Sequence, residues 1–192
     1  MSGAKPTPEK IRDGAFKGAD LSGLEFRNAD LAGADLTGAT LQGAELGGSS
    51  LAGAKLAGCD LSGAHVAYAD LSGADLTGAD LSDAFLAGSD FRGATLKGAV
   101  LREAQLRGAY LEEADLRKAD LSYADLSNAK LDNARLGEAD LTGALLVGAT
   151  MTGTELDGAR MPSPGNDYKG YGDPDELVDS IRHRRRRQQM PD

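Results

Sequence analysis

From Phe16 to Met161 a large apolar residue (Leu, Phe, Val or Met) recurs at every fifth position, thirty times without a slip in register. The stretch Ala74-Asp75-Leu76-Thr77-Gly78 shows the unit, with polar residues filling the positions on either side of the leucine. A period of five suits neither regular element. At 3.6 residues per turn the leucines would scatter around a helix, and at period 2 they would alternate between the faces of a strand. Each unit therefore turns the chain by a fixed angle, the mark of a repeat architecture. Two residues before the leucine stands a small residue, as at Ala29, Ala34 and Ala39, and two residues after it stands Gly in most units up to Gly98. A type II turn needs positive φ at its third residue, which Gly supplies without steric cost. The unit is thus a very short extended piece carrying one large and one small inward side chain, followed by a turn. Four turns close a square, and stacked squares enclose ladders of leucine and alanine.

This unit resembles the pentapeptide-repeat family, whose motif is A-(D/N)-L-X-X, over about three quarters of the chain. The resemblance implies an all-β fold, a right-handed quadrilateral β-helix with four units per coil. Thirty units then make about seven and a half coils, and at ~4.8 Å per coil a rod roughly 36 Å long. It divides the chain into an N-terminal cap (1–15), the β-helix (16–161) and a linker with a C-terminal α-helix ending in a basic run (162–192).

Departures from the unit carry further expectations. Leu24 replaces the small residue near the open start of the stack, while Ser49, Cys59, Ser89 and Thr154 are close in size to Ala and need only a local hydrogen-bond partner. From Glu103 to Glu138 the corner Gly gives way to Glu103, Glu113, Lys118, Tyr123, Asn128, Asn133 and Glu138. Most of these residues disfavour positive φ, so the spacing predicts a different turn and a squarer or wider coil there. Stacked coils expose open backbone edges and need caps. Thr7 before Pro8 reads as a helix N-cap, with Ile11 covering the first coil. At the other end Pro162-Ser163-Pro164-Gly165 stops the repeat, and Asp173-Pro174-Asp175-Glu176 has the order of a helix start. Leu177, Val178 and Ile181 share one face of that helix, and Leu145 and Val147 are outward apolar positions on which it can dock. The same surfaces can instead pair two chains into a homodimer.

Charge is unevenly placed. The net charge is −9; residues 16–91 hold eleven acidic against three basic side chains, and residues 92–161 eleven against nine. An acidic first half steers basic partners and repels nucleic acid. The single cysteine, Cys59, excludes an internal disulfide, and it reads as a buried small side chain. With no apolar run of membrane-spanning length and no signal-like start, the expectation is a cytoplasmic protein without a membrane span.

Little in the chain suits catalysis. His65 and His183 are the two histidines, and no metal-binding, phosphate-binding or nucleophile motif appears. No enzyme activity, cofactor, metal site or small-molecule substrate is expected. Contact surfaces are the candidates instead. Asp60, Asp70, Asp75, Asp80 and Asp90 precede their central residues, and residues twenty apart stack, so Asp80 lies over Asp60 and Asp90 over Asp70. Like charges so placed repel, which a basic partner relieves. Arg92, Lys97, Arg102, Arg107 and Arg117 form a belt around the rod that locally balances Glu103, Glu112, Glu113 and Asp115. His65 and Phe85 stack on one face with Tyr68 at the adjacent corner, a candidate contact cluster. The run Arg182–Arg187 reads as a solvated helix end suited to the macrodipole, as a contact for the acidic rod of its own or another chain, or as the one place for direct nucleic-acid binding. The first expectation is a non-catalytic scaffold binding a protein partner through charged faces, a basic surface being one match for them. The alternative follows from the resemblance: some members are dimeric DNA mimics that bind DNA gyrase, inhibit it or protect it from quinolones.

Overall fold

The computed structural model describes residues 7–12 and 16–162. From Phe16 onward every unit repeats one backbone pattern, a two-residue turn followed by a bridged residue. The bridges are parallel and always twenty residues apart, from Asp20↔Thr40 to Asp140↔Arg160, so four units make one coil. The rod has four sides. The bridged column of side 1 starts at Asp20, of side 2 at Glu25, of side 3 at Asp30 and of side 4 at Asp35. Each unit contributes a single bridged residue to its side, so among the described residues the walls consist of isolated bridges and no strand is longer.

The backbone hydrogen bonds explain why five residues suffice. In the unit centred on Leu61, the amide of Leu61 donates to Asp80 of the next coil at 2.7 Å, that of Gly63 to Ser82 at 2.9 Å, and that of Asp60 to Ala39 of the preceding coil at 3.0 Å. The amide of Ala64 closes the turn on the carbonyl of Leu61 at 3.0 Å. The backbone thus takes up every N–H of the unit except that of the residue after the leucine. Buried backbone donors left unpaired are costly, so this last amide needs an acceptor near the corner.

Inside, the central residues from Leu31 to Leu141 and the small residues from Ala34 to Ala144 form one continuous core, nearly all inaccessible to water. The four expected substitutions of the small residue are buried and locally paired. Ser49 Oγ donates to Leu46 O at 2.7 Å, Cys59 Sγ to Leu36 O at 2.8 Å, Ser89 Oγ to Val66 O at 2.8 Å and Thr154 Oγ1 to Leu131 O at 2.8 Å. Burial pushes the Cys59 thiol up to about 11, so at neutral pH it is a protonated, unreactive group. At the start, helix α1 (Pro8–Arg12) places Pro at its first position, and Ile11 donates its amide to Thr7 O at 3.1 Å. Ile11 is fully buried within the core cluster, against which Leu24 also packs.

The corners between Glu103 and Glu138 correct the sequence reading. The third residue of every turn from Gly18 to Gly158 has positive φ, including ten that are not glycine, among them Glu103 (59°), Glu113 (61°), Lys118 (62°) and Tyr123 (61°). Asn28, Tyr68 and Asp83 behave alike earlier in the rod. The corner therefore keeps the same positive φ, and the coil keeps its twenty-residue register. The cause lies in the ladder: Glu103 N still donates to Ser122 O at 3.0 Å and Tyr123 N to Thr142 O at 2.9 Å, bonds that the left-handed corner aligns. These bonds, with those of the neighbouring coils, outweigh the roughly 1–2 kcal/mol that a side chain costs in that region.

The predicted C-terminal helix, with Leu177, Val178, Ile181 and the arginine run, lies outside the described residues. Its expected dock does not: Leu145 and Val147 are both part-exposed, Leu145 in the column of side 2 and Val147 at the corner between sides 2 and 3.

Candidate contact surface

In the units where an aspartate precedes the central residue, it accepts the amide that the coil leaves over. Asp80 Oδ1 takes the N–H of Ser82 at 2.9 Å and its hydroxyl at 2.6 Å; Asp60 does the same with Ser62 at 3.0 and 2.6 Å, and Asp75 with Thr77 at 3.0 and 2.6 Å. Asp70 accepts the Ser72 amide at 2.9 Å and Asp90 that of Arg92 at 3.0 Å. This side-chain turn is what the Ala-Asp-Leu-Ser/Thr-Gly unit encodes. Its bonds favour the ionised carboxylate: the Ser22 and Thr37 hydroxyls and amides hold Asp20 and Asp35 below the ordinary carboxylate range. The Arg92 and Arg117 guanidiniums do so for Asp90 and Asp115.

The columns place the expected acids as the spacing implies, with Asp60 bridged to Asp80 on side 1 and Asp70 to Asp90 on side 3. Asp75 stands on side 4, between these two columns and opposite side 2. Asp60, Asp70, Asp75 and Asp80 form no ion pair among the described residues. The direct ion pairs of the basic belt are with this aspartate ladder, while of the expected glutamates Glu112 acts on Arg92 through its charge. Arg92 pairs with Asp90, Arg102 with Asp120 at 3.2 Å, Arg107 with Asp125 at 3.3 Å and Arg117 with Asp115, the last being the one expected partner. In the second half Arg160 also pairs with Asp140 at 3.3 Å and Arg135 with Glu155 at 3.4 Å. The rod thus joins a half that keeps a surplus of negative charge to one in which Asp115, Asp120, Asp125 and Asp140 are met by arginine. Tyr110, on side 3, lies between cations of this region, with Lys130 Nζ 4.9 Å and the Arg92 guanidinium 5.9 Å from its ring centre.

Side 2 differs from the others. Its column runs Glu25, Glu45, His65, Phe85, Gln105. The His65 and Phe85 rings stand 4.4 Å apart at 36°. Glu45 Oε2 accepts from Arg27 at 2.9 Å and lies 3.9 Å from His65 Nδ1. Tyr68, at the corner toward side 3, is 77% exposed and covers the corner of the next coil, where a Cβ on Gly88 would come within 2.6 Å of its ring. Asn28 covers Gly48 in the same way, its Oδ1 2.4 Å from the position of a Cβ. Between these side chains the bare backbone of Gly47 and Gly48 lines an open groove of about 450 Å³, together with His65, Phe85, Tyr68 and the Arg27–Glu45 pair.

His65, Tyr68 and Phe85 are brought together as the sequence suggested. Arg27, Asn28, Glu45 and the two glycines escaped it, although one signal was present: Gly47 is one of only two glycines that directly follow a central residue, the other being Gly137. Among the described residues no three His, Cys, Asp or Glu side chains converge to hold a metal ion, and no helix is long and apolar enough to cross a membrane.

A four-sided rod of five-residue units, its corners capped by aspartate, defines a class of protein by itself. The pentapeptide-repeats family model matches residues 16–53, 44–83, 69–103, 99–137 and 124–161, and the chain belongs to that family, whose members form right-handed quadrilateral β-helices. Among solved structures it is similar to HetL, a pentapeptide repeat protein involved in heterocyst differentiation regulation from Nostoc sp. strain PCC 7120. The two are 30% identical over 78% of this chain and 92% of that one, with a TM-score of 0.41. It is also similar to trypsin-treated QnrB1, a plasmid-mediated fluoroquinolone resistance protein (26% identity, 76% of this chain and 74% of that one, TM-score 0.45). A third is alr5209, a pentapeptide repeat protein from Nostoc PCC 7120 (31%, 61% and 77%, TM-score 0.38). No curated protein matches the chain.

Proposed function

We propose that the protein is a non-catalytic scaffold that binds a basic-surfaced protein through side 2 and the acidic columns flanking it. The observation that carries this reading is the groove itself: a stacked His65–Phe85 pair and an exposed Tyr68 around bare glycine backbone, set in the half of the rod with surplus negative charge. Aromatic side chains in a concave spot anchor protein contacts, and surrounding charge of one sign orients the partner and speeds encounter. The aspartates of the ladder are engaged in turns and ion pairs on outward faces, which leaves them poorly placed for the pKa tuning that catalysis needs. Mimicry of DNA toward gyrase is the second reading, favoured by the aspartate columns. It requires carboxylates along the rod, and in the second half Asp115, Asp120, Asp125, Asp140 and Glu155 are already paired with arginine, which makes the shorter acidic contact of a scaffold the better match.

Photo-crosslinkers placed at Phe85 and at Asp75, on opposite sides, distinguish the surfaces. Crosslinks to a cellular protein from position 85, lost in Tyr68→Gly, are expected; equal capture from both positions would remove side 2 as the contact. A supercoiling assay with and without a quinolone tests the second reading, and no effect at high protein concentration ends it.

A further inference from the structure

The strip of side 2 that contains the groove continues to the C-terminal end of the rod as Gln105, Asp125 and Leu145, with Val147 at its corner. Leu145 and Val147 are part-exposed apolar residues, and Phe85 is 38% exposed, so both ends of this strip leave hydrophobic surface uncovered. The chain leaves the rod beside it. Arg160 belongs to the side 1 column, so Pro162 sits at the corner where side 1 turns into side 2. Thirty residues follow, carrying Leu177, Val178 and Ile181 and then Arg182, Arg184, Arg185, Arg186 and Arg187.

We infer that this strip is the docking site of the chain's own segment 174–187, with the apolar residues on Leu145 and Val147 and the arginine run in the groove beside Phe85, His65 and Tyr68. Three independent matches carry it. The order is right, since an apolar cluster followed by cations in the segment meets an apolar pair followed by aromatics in the acidic half. The charge is right: Asp60 and Asp80 on one flank and Asp70 on the other each engage one oxygen with the turn and form no ion pair among the described residues, and guanidinium groups stack favourably on aromatic faces. The reach is sufficient. The level of Ser82, on the same corner as Pro162, is four coils back, about 19 Å at ~4.8 Å per coil. Twenty residues separate Pro162 from Arg182. Fully extended they span about 66 Å, and even wholly helical about 30 Å. A second chain is not needed. The segment thereby acts as a built-in competitor for any basic partner of the groove, although the docking stands whether or not such a partner exists.

The test uses the full chain with Gln188→Cys carrying a nitroxide; the buried Cys59 leaves position 188 as the reactive thiol. The expected result is loss of most of the NMR intensity of the His65 and Tyr68 ring signals, with the loss falling off with distance and clearly smaller for methyls of side 4. The signals return when the five arginines are changed to glutamine, when Phe85→Gln copies the next residue of its column, and when salt is raised to about 1 M, where the screening length falls to about 3 Å. Undiminished His65 and Tyr68 signals would overturn the inference. Broadening seen only when spin-labelled chains are mixed with isotope-labelled ones lacking the nitroxide would also overturn it, because the occupant would then be a second copy.

Discussion

Where an aspartate precedes the leucine it has two tasks, and the hydrogen bonds of the unit separate them. One oxygen accepts the amide that the coil cannot satisfy, while the charge faces water. An asparagine retains the first property and loses the second. Asp80→Ala is therefore expected to lower stability by about 1 kcal/mol, the usual worth of a side-chain cap, whereas Asp80→Asn stays within a few tenths of the parent. Denaturant titration of the two variants distinguishes them; equal losses would mean that the charge, not the acceptor, matters. Acid dependence follows from the same bonds. Asp20, Asp35, Asp90, Asp115 and Asp140 have carboxyls held below their ordinary value by hydroxyl, amide or guanidinium donors. For Asp120, Asp125 and Asp132 burial opposes the shift and donors prevail. A carboxyl with a lowered folded pKa contributes stability above its unfolded value, near 3.9, and loses that contribution as pH falls through the folded value. Thermal melts should show this contribution intact down to about pH 4 and falling steeply below it.

At the scale of the coil, the corner is where sequence reasoning both succeeded and failed. The leucine period and the glycines announced a turn with positive φ, and the columns of residues twenty apart followed from four units per coil. The non-glycine corners were misjudged because intrinsic preference was weighed without the ladder bond that each corner amide donates to the next coil. Nor did spacing show what those side chains do. Tyr68, Asn28, Tyr123, Asn128 and Asn133 each lie over the corner of the following coil, and that corner is glycine in every case: Gly88, Gly48, Gly143, Gly148 and Gly153. A Cβ at Gly143 would come within 2.6 Å of the Tyr123 ring, whereas one at Gly53 would meet nothing within 4 Å. Both positions have positive φ, 70° and 62°. Gly53→Ala should cost roughly 1 kcal/mol for backbone conformation alone, and Gly143→Ala should cost more, up to about 1 kcal/mol beyond it, because the ring must lift off. The excess should disappear in a Tyr123→Gly background. A double-mutant cycle measures this, and strict additivity would show that the covering contact carries no energy. The groove on side 2 was half legible for a related reason: its aromatics could be stacked by counting twenties, but its bare wall depends on the absence of side chains at Gly47 and Gly48.

The whole rod behaves as a one-dimensional stack, since each coil touches only its neighbours. An interior coil is hydrogen-bonded on both sides. The Leu86 amide donates to Gln105 O of the next coil at 2.9 Å, and Phe85 O accepts the Val66 amide of the preceding coil at 2.8 Å. In the last described coil the amides of Leu146, Met151 and Leu156 have no backbone acceptor among the described residues, and Leu156, Ala159 and Met161 are only partly buried. The N-terminal end is treated differently, because Ile11 of α1 is buried against the core there. Stability should therefore be graded along the axis, highest in the middle coils. Leu86→Ala removes a fully buried side chain and leaves a cavity between two intact coils, so a loss of about 2–5 kcal/mol is expected. Leu156→Ala, at an end that opens first, should cost well under half of that. Amide exchange offers the same comparison without mutation: the Leu86 amide should exchange only through global unfolding, while the Leu141 amide, bonded to Arg160 O at 2.7 Å, should exchange through local fraying of the final coil. Equal protection at the two amides would mean that the final coil is held as firmly as the centre. The docking inferred for segment 174–187 would supply the means, and removing its five arginine charges would then lower protection at Leu141 while leaving Leu86 unchanged.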